Sequence, residues 1–375
     1  MDPSARPSPA RVRAVAALMA RLGHPTAVRR AVAGVCDHVA DRDDVAAWLD
    51  LAWPAALAEL DALGEPLPDD TEPPKLDDDS AARWGLLFVC CHGNLPAAAR
   101  IVLTLALFSG LSTASLARAT GVAEATLTQR LSRVESRVRG RVRPVPQDPV
   151  ALDDHLSRVL AVVMAIFEDG RTLPGPDGAD LPAEAVGIGR TVVDLFPDHP
   201  EARSLLAYML MVRARRDARQ APDGSLVPLT AQDRSRWRHD EIEEGLFLLR
   251  SSRRRGAEGR YHLLARIQSI HVTTDDPRDT DWERILGLYD RLLRRWPSET
   301  VMLHRVSALA EVAGPARALA EIERLGGDSH LFHATRADLL VRLGRTEEAD
   351  RAWTAAVARA RAASEHARAT GRLEP

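Results

Sequence analysis

Three groups of residues in this sequence have side-chain types and spacings that could do chemistry. The first is the stretch 96–143, which holds eight arginines against Glu124 and Glu135, a net charge of +6. The second is the triplet Cys90-Cys91-His92. The third is the block Gln232–Trp237, which combines an acid, two arginines and an indole. Clustered guanidinium groups suit phosphates, whereas thiolates and imidazoles suit metals.

The triplet is a poor metal site. Three consecutive residues on a helix point in different directions, and no second ligand cluster has zinc-finger spacing. We therefore expect Cys90, Cys91 and His92 to pack, with no metal and no cofactor. The sequence also contains no Gly-rich phosphate loop, carboxylate pair or nucleophile elbow, so it predicts that the protein is not an enzyme.

The block at 232–237 leaves two interpretations open for Asp233, Arg234, Arg236 and Trp237. These residues could line an anion or effector pocket. Alternatively, they could cap a helix and form an internal ion-pair network that fixes the bundle, which is the favoured interpretation.

The elements that must position these groups are helices. Strand signals are nearly absent, and apolar residues recur at helical spacing, as in Ile285, Leu288 and Leu292. The chain has 375 residues, a formal net charge of −3 and three cysteines. The sequence therefore predicts an all-α protein with two or three domains, and a cytosolic location without a membrane span.

Residues 95–143 predict a helix-turn-helix DNA-binding module, with a first helix at about Ala97–Phe108 and a recognition helix from about Ala123 to Arg139. The predicted boundary residues are Gly110 as a stop, Ser112 or Thr113 as a cap, Gly121 as the turn and Val122 as a plug between helices. The predicted DNA-contacting residues are Thr113, Glu124, Thr126, Thr128, Gln129, Arg130, Arg133 and Arg137. The alternative is a solvated helix hairpin with an arginine-rich face.

The recognition helix is predicted to pack inward through the apolar stripe Leu127, Leu131, Val134 and Val138. Before this module the charge reverses: residues 37–79 hold 14 acidic residues against two basic ones, a net of −12. This segment could fold back and mask the DNA-binding face, in which case deleting residues 1–79 should tighten DNA binding.

The sequence divides into four predicted parts. These are a helical segment at 1–63, an acidic Pro-rich linker at 64–80, the DNA-binding domain at 81–143 and a helical domain at 150–365. Within the last part, residues 333–360 resemble a tetratricopeptide repeat, in which Ala337, Ala349 and Ala356 allow close helix packing around a turn at Gly344. Residues 282–314 form a looser copy, and a generic helical bundle is the alternative.

Blocks at 86–134, 161–170, 229–246, 280–293 and 333–349 resemble the extracytoplasmic-function sigma factors that carry a long C-terminal helical extension. The resemblance covers about three quarters of the chain. It implies that region 4 binds the −35 promoter element and RNA polymerase core, and that region 2 melts and reads the −10 element.

The first eighty residues depart from that family. The best match to region 2 is Ala46–Leu63, where Trp53, Pro54, Ala58 and Asp61 replace expected residues and basic residues are missing. Because captured single strands need cations and exposed aromatics, the sequence predicts a truncated or degenerate region 2. Pro54 further argues against a continuous helix there. Glu135 stands where the family is usually basic, and is expected to weaken one phosphate contact.

The sequence as a whole predicts a sigma-factor-like transcription regulator. Its expected partners are promoter DNA, RNA polymerase core and a protein bound by the repeat-like domain. The alternative is a non-initiating protein that acts as an interaction scaffold through its repeats.

Overall fold

The structure is a computed structural model of the chain. It describes residues 9–36, 38–39, 43–69, 72–74, 80–109, 111–120, 122–139, 148–172, 180–219, 221, 227–253 and 258–370. The regular structure of these residues is helical and contains no β-strand, which confirms the predicted all-α fold.

The chain forms two compact units, one that ends at Pro197 and one at Asp198–Thr370. Residues 1–63, 81–143 and the beginning of 150–365 therefore lie in the first unit. The four predicted domain boundaries stay predictions.

Among the described residues up to Pro197, the first unit contains nine helices. They are α1 (Pro9–Leu22), α2 (Pro25–Val35), α3 (Val45–Ala62), α4 (Ser80–Cys90), α5 (Ala97–Phe108), α6 (Thr113–Thr120), α7 (Glu124–Val138), α8 (Pro149–Thr172) and α9 (Leu181–Leu195). From Ile101 to Phe108, α5 is buried on every side, because it carries apolar residues all round. It contacts α1, α2, α4, α6, α7, α8 and α9, so it is the central helix of the unit.

A buried arginine joins three of these helices. Arg11 on α1 donates through Nε and Nη2 to the carbonyl oxygen of Phe108, at 3.2 and 2.8 Å, and through Nη2 to the carboxylate of Glu184 on α9, at 3.1 Å. Burial raises the pKa of Glu184 to about 7, against the opposing effect of the Arg11 charge. The end of α5 is therefore fixed by a polar contact inside the apolar core.

The expectation for Pro54 was wrong, since α3 is continuous from Val45 to Ala62 with Pro54 inside it. Proline removes one backbone hydrogen bond, but Pro54 is exposed and its flanking turns are held by burial of Trp48 and Trp53. Asp44 caps the start of α3 by accepting from the backbone N–H of Ala46 at 2.9 Å.

In the part of the second unit that the structure describes, there are nine α-helices and three short 3-10 helices. The α-helices are α10 (Pro200–Arg213), α11 (Arg216–Arg219), α12 (His239–Arg253), α13 (Arg260–Thr273), α14 (Trp282–Arg295), α15 (Glu299–Ala313), α16 (Pro315–Leu325), α17 (His330–Arg342) and α18 (Thr346–Thr370). The 3-10 helices are Leu229–Ala231, Arg234–Arg236 and Pro277–Asp279. From α12 to α18 each helix packs against the next one along the chain.

The predicted helix pair at 333–360 forms as α17 and α18. Gly344 makes the turn between them with a φ of 72°, a conformation that favours glycine. Ala337, Ala349 and Ala356 are all buried, and Ala337 and Ala349 lie in one apolar cluster that α17 and α18 share, as expected for small residues at a close approach. Within the part of the chain that the structure describes, no helix is long and apolar enough to cross a membrane.

Candidate nucleic-acid interface

The helix-turn-helix forms from α5, α6 and α7, which pack against one another. The bounds of α5 match the predicted first helix. Its end is closed by Ser109, whose hydroxyl donates to the carbonyl of Leu105 at 2.6 Å and accepts from the backbone N–H of Leu111 at 3.2 Å. The predicted stop at Gly110 and turn at Gly121 lie outside the described residues. Sequence reasoning missed Ser109, because a serine with this role looks like any loop serine.

Two further contacts define the short helix α6. The hydroxyl of Ser112 accepts from the backbone N–H of Ser115 at 3.1 Å, so Ser112 rather than Thr113 caps the helix. After α6, the backbone N–H of Val122 donates to the carbonyl of Ala117 at 3.0 Å, and the Val122 side chain is buried. The predicted plug between α6 and α7 is thus in place.

The buried stripe of α7 follows the prediction. Leu127 and Leu131 are fully buried, and Val134 and Val138 are 8% and 2% exposed. Because a helix advances about 100° per residue, these side chains fix which face of α7 points outward. Thr126, Gln129, Arg133 and Arg137 are exposed and Arg130 is half-buried, and all five lie on one flank of α7, centred about 110° around the helix from the stripe and opposite Glu135.

Three of the predicted DNA-contacting residues are placed differently. Glu124 and Thr128 are exposed, but their spacing puts them on the side of α7 that carries Glu135. Thr113 is half-buried, and its hydroxyl accepts from Nη1 of Arg29 on α2 at 3.0 Å. The structure therefore brings five of the eight residues onto one outward face, and separates three from it.

The expectation for Glu135 was wrong. Glu135 is 2% exposed and faces α2, where its carboxylate accepts from Nε of Arg29 at 2.7 Å and from the hydroxyl of Thr26 at 2.6 Å. A buried carboxylate with these partners serves helix packing, so it does not weaken a phosphate contact. Nothing in the sequence pairs Arg29 with a residue 106 positions away, which is why sequence reasoning missed it.

Cys90 and Cys91 are fully buried in the core at the end of α4. Burial raises the pKa of the Cys91 thiol to about 12, which disfavours the thiolate that metals bind. Close by, His155 stacks on Phe88 with ring centres 4.8 Å apart. Among the described residues, no three His, Cys, Asp or Glu side chains are arranged to hold a metal ion.

The block at 232–237 combines a cap with a cation–π contact. Asp233 accepts from the backbone N–H and the hydroxyl of Ser235, at 3.0 and 2.7 Å. Arg234 lies over the ring of Trp237 at 4.5 Å and donates to the backbone carbonyl of Thr274. These contacts match the capping interpretation for Asp233.

The remaining members of that block differ in exposure. Trp237 is 4% exposed and packs with Ala214, Ala218 and Ile242, whereas Arg236 is exposed. Arg234 also lines a cavity of about 300 Å³ within the second unit. The effector-pocket interpretation therefore stays a prediction.

Comparison with known proteins agrees with the helix-turn-helix assignment. Residues 86–138 match the family described as sigma-70, region 4, and residues 155–253 match a family of unknown function (DUF6596). An uncharacterized protein of Rhizobium meliloti (strain 1021) is 37% identical over 319 residues, which cover 83% of this chain and 74% of that protein. No solved structure matches the chain. The predicted region 4 domain is confirmed, whereas the extracytoplasmic-function subgroup and the tetratricopeptide likeness stay predictions.

Proposed function

Since this chain belongs to the same protein family as the Rhizobium meliloti protein and carries a sigma-70 region 4 domain, we propose that it is a sigma-factor-like transcription regulator. Its helix-turn-helix binds promoter DNA of the −35 type and RNA polymerase core. The observation that carries this proposal is the outward face of α7, where Thr126, Gln129, Arg130, Arg133 and Arg137 lie together on one flank beside the buried stripe. Polar side chains near the start of such a helix suit base edges, and arginines further along suit phosphates.

Salt-dependent DNA binding tests this function. A labelled duplex of ~30 base pairs, titrated with the full chain by fluorescence anisotropy, should give a log–log salt slope of about −4 to −5 if about five phosphates are neutralised. Arg130→Ala and Arg133→Ala should each weaken binding and make the slope less negative by about 1. Arg30→Ala is the control, because Arg30 pairs with Glu59 on the surface of α2 and α3. If the two α7 variants bind like the wild type, α7 is not the recognition helix.

The proposal extends to a protein that does not open promoters unaided. Capturing melted DNA needs exposed aromatics and cations, yet Trp48 and Trp53 on α3 are only 1% and 4% exposed. No basic residue occurs between Asp43 and Pro74. We expect the chain to retain polymerase or DNA in a co-purification. In run-off transcription with core polymerase alone, we expect no promoter-specific transcript. A specific transcript would contradict this part of the proposal.

One observation favours an interaction role for the second unit. Trp353 and Val357 lie one turn apart on α18 and are 44% and 50% exposed, and Val341 on α17 is 56% exposed. Exposed aromatic and branched side chains are typical of protein-binding surfaces. A scaffold that works only through tetratricopeptide-like repeats would retain a protein partner after Arg133→Ala but lose it after Trp353→Ser. Retention of polymerase or promoter DNA by the wild type would contradict a pure scaffold.

A further inference from the structure

The contact between α2 and the helix-turn-helix is polar and buried. Arg29 is 8% exposed and Glu135 is 2% exposed, and the Nε–Oε1 distance between them is 2.7 Å. The second carboxylate oxygen of Glu135 accepts from the hydroxyl of Thr26 at 2.6 Å. Buried charges are tolerated only when they are paired and hydrogen-bonded, so this contact holds α2 to α7 in one specific arrangement.

The same guanidinium reaches the other helix of the motif. While Nε of Arg29 donates to Glu135 on α7, Nη1 donates to the hydroxyl of Thr113 at the first position of α6, at 3.0 Å. A guanidinium is planar, and its N–H groups have fixed directions, so two partners bound at once are held in a defined relative position. Arg29 therefore links α6 to α7 across the turn of the helix-turn-helix.

The contact between Arg29 and Glu135 lies on the side of α7 opposite its outward face. Glu135 and Arg133 are two residues apart on α7, which places them about 200° apart around the helix axis. Arg133 is exposed, whereas Glu135 faces α2. A helix that contacts α7 on the Glu135 side leaves the arginine side open, so α2 does not cover the outward face.

A second contact holds the far end of α7. Arg139, which follows the last residue of α7, donates to the carboxylate of Glu65 at 2.7 Å. This pair is partly exposed and contributes little stability by itself. It nevertheless places Glu65 at the end of the recognition helix.

We infer that α2 is a built-in support of the DNA-binding motif and that Arg29 is a positioning residue. It sets α6 against α7 so that the outward face of α7 has the correct geometry for DNA. This inference rests on the proposed DNA-binding function, and the masking of the DNA-binding face by the acidic segment stays a separate prediction. Deleting residues 1–79 would remove Arg11 and Arg29 together, so point variants are the sharper test.

The experiment compares two neighbouring arginines in the full chain. Arg29→Ala and Arg30→Ala each remove one positive charge from α2, but the Arg30 side chain is 46% exposed and pairs with Glu59 at the surface. Affinity for the ~30-base-pair duplex and its salt slope are measured for both, with Arg133→Ala as the comparator for a phosphate contact. Arg29→Ala should bind about tenfold more weakly with the wild-type salt slope, because a positioning residue releases no counterions. Arg30→Ala should bind like the wild type.

Two milder variants keep the test sharp if Arg29→Ala does not fold. Arg29→Lys keeps a cation beside Glu135 but lacks the planar fork, and Thr26→Val removes one hydrogen bond to Glu135 without a charge change. Both should bind several-fold more weakly than the wild type with an unchanged slope. Wild-type affinity in both variants, or a slope change in Arg29→Lys as large as that of Arg133→Ala, would overturn the inference.

A measurement without DNA separates this inference from the proposed function. Hydrogen exchange of the α6 and α7 amides should be faster in Arg29→Ala and Arg29→Lys than in the wild type, and unchanged in Arg30→Ala. If the wild type binds no DNA, the proposed function fails, and exchange alone decides whether α2 supports the motif. Unchanged exchange in both Arg29 variants would overturn the support.

Discussion

Replacing Glu184 by glutamine should change how the stability of the first unit depends on pH. Glu184 is 7% exposed and lies 3.1 Å from Nη2 of Arg11. Burial raises its pKa from the ordinary 4.5 to about 7, because the single contact with Arg11 does not make up for lost hydration. Arg11 also donates through Nε and Nη2 to the carbonyl of Phe108, so Glu184 shares Nη2 with that carbonyl.

The sign and size of the effect follow from this pKa. A carboxyl with a higher pKa in the folded state binds its proton more tightly when folded. Its stabilisation is therefore present below pH 4.5 and is lost as the pH rises to about 7. At 1.36 kcal/mol per pH unit, this interval corresponds to about 3 kcal/mol of unfolding free energy as an upper bound. Glu184→Gln keeps an oxygen that accepts from Arg11 but does not titrate, so it should lack this loss.

His155 in the same unit acts in the opposite direction. Burial, followed by the charge of Arg158, lowers the pKa of His155 from 6.5 to about 4. The unfolded chain therefore binds this proton first, and the first unit loses stability as the pH falls from about 6.5 to about 4. The informative quantity is consequently the difference between wild type and Glu184→Gln at each pH, in which the contribution of His155 cancels.

The cysteines allow the unfolding free energy of the first unit to be measured separately from that of the second unit. All three cysteines of the chain precede Pro197, and Cys90 and Cys91 are fully buried. The Cys36→Ser variant is equilibrated in urea at the test pH and then given a short pulse of a thiol reagent at a fixed pH. The reagent labels Cys90 and Cys91 only in molecules whose first unit is unfolded. Parallel profiles of wild type and Glu184→Gln between pH 4.5 and 8 would refute the argument, because they would mean that Glu184 is already charged in the folded protein at low pH.

Two alanine-to-leucine substitutions on α18 form a test and its control for the packing of the second unit. Ala352→Leu should destabilise it by about 1–3 kcal/mol in a denaturant titration, because Ala352 is 3% exposed against α17, whereas Ala358→Leu at an exposed position of α18 should change it little. Equal effects of the two leucines would contradict the packing of α17 on α18. Glu201→Ala should cost about 1–2 kcal/mol and speed hydrogen exchange in the first turn of α13, because Glu201 accepts from the backbone N–H groups of Tyr261 and His262 at 2.8 and 3.1 Å. Unchanged exchange in that turn would show that water replaces the cap.

Local features of the fold could be predicted from the sequence. The bounds of α5, the buried stripe of α7 and the turn at Gly344 follow from apolar spacing and from the conformational freedom of glycine, which act over a few residues. The face of α7 that carries Arg133 and Arg137 follows from the same stripe, because burying one side of a helix exposes the other.

The long-range polar contacts could not be predicted in this way. Arg11 with Glu184 and Arg29 with Glu135 each join residues more than a hundred positions apart, and single-sequence periodicity does not indicate which charged residues meet. The family resemblance was also misleading at Glu135, since it implied that this residue weakens a phosphate contact although Glu135 is buried. The continuity of α3 through Pro54 was missed for a related reason, because tertiary burial of Trp48 and Trp53 outweighs the local cost of proline.

These contacts give the N-terminal segment a consistent physical role. Two of its cations, Arg11 and Arg29, are turned inward onto α5, α6 and α7, and the two tryptophans of α3 are buried. Side chains used in this way are not accessible to an unstacked single strand, which needs them exposed. Exposing them would break buried ion pairs and open the apolar core around α5. If the helix-turn-helix binds duplex DNA as we propose, the buried residues that support it are not available to capture a single strand, which is why we propose duplex binding without unaided promoter opening.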